Sequence, residues 1–176
     1  MTMWVFGYGS LVWNPGFDVA DQRIATLSDY ARSFCMRSIH HRGTEVDPGL
    51  VLALDEMPGA TCQGVAMAVV EGQEEPVLEY LRARELVSSA YLERTLQIRL
   101  DCGQQVQAVT YVIDADHVQY CGGLPLEEQA GIIARAVGGR GPNTEYLYNT
   151  TSHLAHLGIS DPDLEWLSAR VRDLSG

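Results

Sequence analysis

A glycine-rich turn near the amino terminus has the residue types to bind an anion. Residues 7–11, Gly-Tyr-Gly-Ser-Leu, directly follow the short apolar run 4–6. A dinucleotide-binding fingerprint would need a third glycine where the chain has Val12, and a nucleophile elbow would need a glycine soon after Ser10, where none is found. What remains is a turn whose consecutive backbone amides can bind a carboxylate or a developing oxyanion, with an ordinary tight turn as the alternative.

One carboxylate, Glu85, falls on the apolar side of a predicted helix. Helical spacing across residues 76–84 places it beside Leu81 rather than on the solvated face. Burial and the negative end of the helix dipole both raise the pKa of a carboxyl group in this position, which makes it a useful base or acid near neutral pH. The alternative is a buried ion pair with an arginine such as Arg37 or Arg84.

The basic residues restrict the chemistry further. The chain has 176 residues, a net charge of −11 and twelve basic residues, all of them arginine. The lack of lysine excludes a Walker-type phosphate loop, a pyridoxal enzyme and a Schiff-base aldolase, because each of these needs the lysine amine. The acidic balance argues against nucleic acid and against a membrane surface as partners, since both require clustered positive charge.

No metal or cofactor site is predicted. His153 and His156 can share one helix face, but no third ligand is indicated nearby. The cysteines are widely spaced and never form a Cys-x-x-Cys pair, which is typical of reduced thiols in a cytosolic protein. They are Cys35, Cys62, Cys102 and Cys121.

The elements that would position these residues are strands first and helices later. Apolar runs and alternation predict strands over residues 4–6, 32–37, 50–54, 64–70, 96–100 and 106–113. Helices are predicted over residues 76–84, 126–137 and 144–157, with a last one beginning at 160 or 161. This order predicts an α+β protein in which helices cover a curved sheet or small barrel.

Length and apolar patterning predict one domain over residues 1–176. No apolar run approaches the ~18 residues of a membrane span, and the first residues lack the positive charge of a signal peptide. We therefore expect a cytoplasmic protein.

The two candidate site segments together resemble a known family. Residues 6–15, Phe-Gly-Tyr-Gly-Ser-Leu-Val-Trp-Asn-Pro, resemble the amino-terminal signature of the ChaC-type γ-glutamylcyclotransferases. Residues 84–87, Arg-Glu-Leu-Val, followed by Tyr91, resemble the catalytic stretch of that family. Further similar blocks extend the resemblance almost end to end: residues 34–35, 41–44, 48–52, 120–124 and 146–150.

The resemblance implies a small β-barrel with flanking helices and an activity, the cleavage of glutathione to 5-oxoproline and cysteinylglycine without metal or cofactor. Glu85 is then the expected general base and acid. The expected substrate-binding residues are Tyr8, Gly9, Ser10, Leu11, Arg37, Tyr91 and Tyr148. Glutathione is the expected partner of a monomer. Two alternatives stay open at this point: cyclisation of other γ-glutamyl amino acids or amines, and a non-catalytic binding protein on the same scaffold.

Overall fold

The computed structural model describes residues 2–86 and 90–175. The chain forms two compact units, the first made of Met1–Arg32 and Ala53–His117 and the second of Ser33–Leu52 and Val118–Gly176. In the described residues the strands are β1 (Trp4–Gly7), β2 (Val19–Ser38), β3 (Gly49–Val69), β4 (Tyr91–Leu100), β5 (Gln105–Ile113), β6 (Val137–Gly138) and β7 (Gly141–Pro142). The helices there are α1 (Ser10–Trp13), α2 (Glu74–Glu85), α3 (Leu126–Arg135), α4 (Asn143–His156) and α5 (Pro162–Ser175).

The larger strands close into a barrel in the order β1-β3-β2-β4-β5. β1 pairs antiparallel with β3 and parallel with β5, while β4 and β5 form an antiparallel hairpin. Gly103 makes the hairpin turn with φ +91°, a conformation that favours glycine. Apolar side chains of Phe6, Ile98 and Leu81 are fully buried in the first unit. The expected α+β class, with a small barrel and helices, is confirmed.

Strands β2 and β3 are longer than the sequence predicts. β3 joins the two predicted strands 50–54 and 64–70, and β2 begins well before residue 32. The added part of β3, residues 55–63, is largely exposed, and in the added part of β2 the buried residues Ala25, Leu27 and Tyr30 do not keep a period of two, so neither part carries a continuous apolar alternation. Their irregular backbone is held by Asp29, with φ +68°, whose Oδ1 accepts a 3.0 Å hydrogen bond from the amide of Gly59. Such bulge-like positions bend long strands, as barrel closure requires.

Helix α2 places Glu85 at its carboxyl end. Acidic residues stand in its first turn, whereas Arg82 and Arg84 stand in its last turn, so both ends complement the helix dipole. Val77 and Leu81 are buried, while Glu79 on the opposite face is exposed, as the periodicity predicts. The helix extends one residue beyond the predicted end and so includes Glu85 itself.

Asn143 anchors the helices of the second unit. Its buried amide stands at the start of α4, where Oδ1 accepts a hydrogen bond from the Leu50 amide and Nδ2 donates to the Leu50 carbonyl, both at 2.8 Å. One side chain thus completes the backbone hydrogen bonding at the start of β3. The first turn of α5 is capped by Asp161, whose Oδ1 accepts from the Leu164 amide at 3.2 Å.

Measured against the thickness of a bilayer, none of the helices within residues 2–86 and 90–175 is long and apolar enough to span it. The expectation of one domain over residues 1–176 stays a prediction.

Candidate functional site

The glycine turn leads from β1 into the single-turn helix α1. The amide of Val12 donates to the Gly9 carbonyl at 2.9 Å, and that of Asn14 donates to the Ser10 carbonyl at 2.8 Å, which closes the turn and ends the helix. Residues at the start of a helix have amides that cannot bond within it, and Gly9 has no side chain with which to cap them. Amides of this kind, with the Ser10 hydroxyl beside them, are suited to binding an anion.

Tyr8 ties this turn to the barrel. Its side chain is buried, and its hydroxyl donates to the carbonyl of Tyr111 on β5 at 3.1 Å. The Tyr8 carbonyl accepts a 2.8 Å hydrogen bond from Nε of Arg32 on β2, and the same guanidinium donates to the carbonyl of Gln63. Sequence reasoning missed Arg32, because an arginine between polar strand residues carries no local signal of the carbonyl that it binds.

Gly7 allows the turn to pack this closely. A Cβ at this position would lie 2.9 Å from the methyl carbon of Met67 and 3.1 Å from Cβ of Leu11. The distance to Leu11 is tighter than most real Cβ contacts and the one to the flexible end of Met67 is closer still, so a side chain here would require these neighbours to shift.

Glu85 combines burial with an ion pair. Its side chain is 16% exposed, and its Oε1 lies 3.5 Å from Nε of Arg84. Burial raises the pKa of the Glu85 carboxyl group, and the positive charge of Arg84 counteracts part of that rise. The sequence left a base and an ion pair as alternatives; here the carboxylate has the ion pair and a raised pKa together.

Arg84 brings the two predicted segments into one site. Its Nη2 donates to the Ser10 hydroxyl oxygen at 3.0 Å, and its Nη1 donates to the carbonyls of Asn14 at 2.5 Å and Pro15 at 3.3 Å. The guanidinium thus bridges the glycine turn and Glu85. The sequence named Arg84 as an ion-pair candidate but did not predict its contacts with the turn.

A second network on the same unit was not predicted. Arg82 forms two 3.0 Å hydrogen bonds to the carboxylate of Glu93 on β4, which lowers the pKa of that group. The hydroxyl of the buried Tyr111 donates to the same carboxylate at 2.9 Å. Burial, Glu93 and the nearby charge of Glu85 all raise the pKa of Tyr111, so this phenol stays neutral beside the site.

The remaining predicted binding residues lie in different parts of the chain. Leu11 is buried in α1, and the half-buried Tyr91 begins β4 in the first unit. Arg37 and Tyr148 belong to the second unit, where the Tyr148 ring lies 4.7 Å from the guanidinium carbon of Arg172. Their roles as substrate contacts stay predictions.

The described residues 2–86 and 90–175 contain no group of three histidine, cysteine or acidic side chains arranged to hold a metal ion. His153 and His156 are exposed on α4, and Nδ1 of His153 lies 2.7 Å from the Asn149 carbonyl oxygen. Within the described residues none of the four cysteines forms a disulfide.

Comparison with known proteins identifies the family. A family model described as ChaC-like protein matches residues 3–174. A glutathione-specific γ-glutamylcyclotransferase of Escherichia coli K12 is 37% identical over 172 residues, which cover 98% of this chain and 74% of that protein. A human glutathione-specific γ-glutamylcyclotransferase 1 is 35% identical over 171 residues, which cover 96% and 77%. The crystal structure of a yeast γ-glutamyl cyclotransferase specific to glutathione superimposes with a TM-score of 0.87 at 24% identity, covers 98% of this chain and 96% of its own, and shows the same fold. The chain belongs to the ChaC-like family.

Proposed function

We propose that this chain is a glutathione-specific γ-glutamylcyclotransferase that converts glutathione to 5-oxoproline and cysteinylglycine. The observation that carries the proposal is the largely buried Glu85 carboxylate, 16% exposed, which Arg84 links to the glycine turn. The names of the E. coli and human relatives, with alignments over nearly the whole chain, support the same reaction and substrate.

The nucleophile in this reaction comes from the substrate. The α-amine of a γ-glutamyl group reaches its own side-chain carbonyl carbon through a five-membered ring. Such an intramolecular attack can remove roughly 7–11 kcal/mol of the barrier when the geometry is favourable. The reaction therefore requires no amine from the protein, which is consistent with a chain that has no lysine.

Glu85 then performs the proton transfers. Its carboxylate takes a proton from the substrate ammonium, and the freed nitrogen attacks the carbonyl carbon. The tetrahedral intermediate collapses as the carbon–nitrogen bond to cysteinylglycine breaks and Glu85 delivers a proton to the leaving nitrogen. Attack leaves the ring nitrogen positively charged, and its second proton passes through Glu85 to the released amine. Over the whole reaction the attacking nitrogen loses two protons and the leaving nitrogen gains two. A carboxyl group whose pKa is raised by burial is suited to both directions of transfer.

The glycine turn stabilises negative charge on the substrate. Amides at Gly9, Ser10 and Leu11 are suited to the tetrahedral oxyanion or to the α-carboxylate of the γ-glutamyl group. Because Arg84 donates to the Ser10 oxygen, the Ser10 hydroxyl hydrogen is available to donate to the substrate. Ser10 acts in this scheme as a binding residue rather than a nucleophile, and Tyr91, which lies in the same unit, is a further proposed contact.

The direct test is incubation of the purified protein with glutathione and detection of both products by mass spectrometry. Stoichiometric release of 5-oxoproline and cysteinylglycine is expected. A parallel panel of γ-glutamyl amino acids and γ-glutamyl amines tests the substrate. Turnover of these compounds without turnover of glutathione would overturn the proposed specificity. Binding of glutathione without any product would overturn the proposed catalysis.

A further inference from the structure

The Arg84 guanidinium uses all three of its nitrogens within the candidate site. Nη2 binds the Ser10 hydroxyl, Nη1 binds the Asn14 and Pro15 carbonyls, and Nε faces Glu85 at 3.5 Å. The side chain is 18% exposed; its contacts with Ser10 and Pro15 are partly buried, and its contact with Asn14 lies at the surface. A planar fork can hold several oxygens at fixed angles, which a lysine ammonium in the same place cannot do.

Tyr80 supports the same docking from one turn earlier on α2. Its hydroxyl accepts a 3.2 Å hydrogen bond from Nη1 of Arg84. It also contacts the backbone at Gly16, where a Cβ would lie 2.5 Å from the Tyr80 ring carbon Cζ and where φ is +78°. The segment that follows α1 is therefore seated on the face of α2 that carries Tyr80 and Arg84.

We infer that Arg84 is a positioning residue: its guanidinium holds residues 10–15 against the end of α2 and so sets the place of the Ser10 hydroxyl relative to Glu85. The inference rests on the proposed function, since it assigns Arg84 to the same reaction. Arg84 does not transfer a proton. It acts through Ser10, whose oxygen it binds, and through Glu85, whose charge it partly neutralises.

These two effects can be separated experimentally. The effect on Glu85 needs only the positive charge of Arg84, whereas the effect on Ser10 needs the planar guanidinium with its several donors. The charged group in contact with Glu85 is Arg84, and Tyr111 on β5 interacts with Glu85 electrostatically. Tyr80 on α2 bonds to Arg84, and Arg82 and Glu93 bond to each other beside Tyr111. Of these, Arg84 lowers the pKa of Glu85. Its removal therefore raises that pKa, while a lysine at the same position retains the charge without reaching all the oxygens.

The test compares Arg84→Met and Arg84→Lys with wild type by pH profiles of kcat/KM and by kcat. For Arg84→Met we expect the acid limb to move about one pH unit upward and kcat to fall at least about tenfold. For Arg84→Lys we expect the wild-type acid limb with a lowered kcat. Arg23→Met removes an exposed arginine of the same unit that pairs with Asp21, and both readouts are expected to stay at wild-type values.

A wild-type acid limb and wild-type kcat in Arg84→Met would overturn the inference. If that variant does not fold, as judged by circular dichroism, Arg84→Lys in a Ser10→Ala background decides. Action through Ser10 makes the combined loss of kcat smaller than the product of the two single losses, whereas a fully multiplicative loss overturns the inference.

Failure of the proposed function looks different. In that case wild type releases no 5-oxoproline, or Glu85→Gln remains active. When wild type is active and Glu85→Gln is not, a wild-type result for Arg84→Met counts against the positioning role alone.

Discussion

Replacement of Glu85 by glutamine removes the proposed base and preserves its shape. Glutamine matches the volume of glutamate, and its side-chain oxygen can still accept a hydrogen bond from Arg84. The side chain is 16% exposed, so little water can enter to act in its place. The change therefore tests proton transfer with little disturbance of α2 or the glycine turn.

The expected loss follows from what the substitution removes and what it leaves. General acid–base catalysis contributes typically about 10²–10⁴-fold. Because Glu85 carries the transfer in both directions, we expect kcat to fall by about 10³-fold or more. The attacking amine and the backbone amides of the turn are unchanged, so KM for glutathione is expected to stay close to its wild-type value.

The assay is the initial rate of 5-oxoproline release from glutathione, with Glu79→Gln as the matched control. Glu79 stands on the same helix, but on the exposed face. The control makes the same chemical change and is expected to keep wild-type kcat. A kcat within about threefold of wild type in Glu85→Gln would refute the assignment of Glu85 as the base, since acid–base catalysis is worth far more than that.

Three further predictions concern the same site. Ser10→Ala is expected to lower kcat about 10- to 100-fold, at or below the cost of one full oxyanion donor at about 2.7–4 kcal/mol, and complete loss with an acyl-enzyme trapped in wild type would instead make Ser10 a nucleophile. Glu85→Gln is expected to raise Tm at pH 8: burial raises the folded-state pKa of Glu85, so ionisation costs stability as pH rises through that pKa. The Tm difference is expected to vanish below about pH 4, where the carboxyl is protonated in both states, and a constant difference across the range would contradict the argument. Because a chain of net charge −11 and an anionic substrate repel each other, Kd for glutathione is expected to hold or improve as salt rises, and a steep loss of affinity by calorimetry would be inconsistent with binding through local donors.

The predictions that succeeded depend on short stretches of chain. Helical periodicity identified α2 and put Glu85 on its inward face, because the positions that repeat lie within one or two turns. Gly103 marked the β4–β5 hairpin for the same reason. The early part of β2 was missed because its buried residues Ala25, Leu27 and Tyr30 do not keep the period of two that identifies a half-buried strand.

The contacts that assemble the site were out of reach of such local patterns. Ser10 and Arg84 are 74 positions apart, and Tyr8 and Arg32 are 24 apart. The residues around each member of these two pairs do not specify its partner, because an arginine on a strand or at a helix end is normally a solvated charge. Only closure of β1 against β3 and β5, with α2 packed beside them, determines which oxygen each guanidinium meets.

The sequence by itself determined which functional groups are available for chemistry. It has a turn rich in backbone donors and a carboxylate on an apolar helix face, and it has no lysine amine. These follow from residue identity and local spacing. The tertiary structure alone decided that Arg84, rather than Arg37, pairs with Glu85 and partly neutralises it, and that the same guanidinium also bonds to the turn. The physical reason is that the pKa of a carboxylate and the place of a hydroxyl depend on burial and on charges a few ångströms away, and folding brings those groups together from distant parts of the chain.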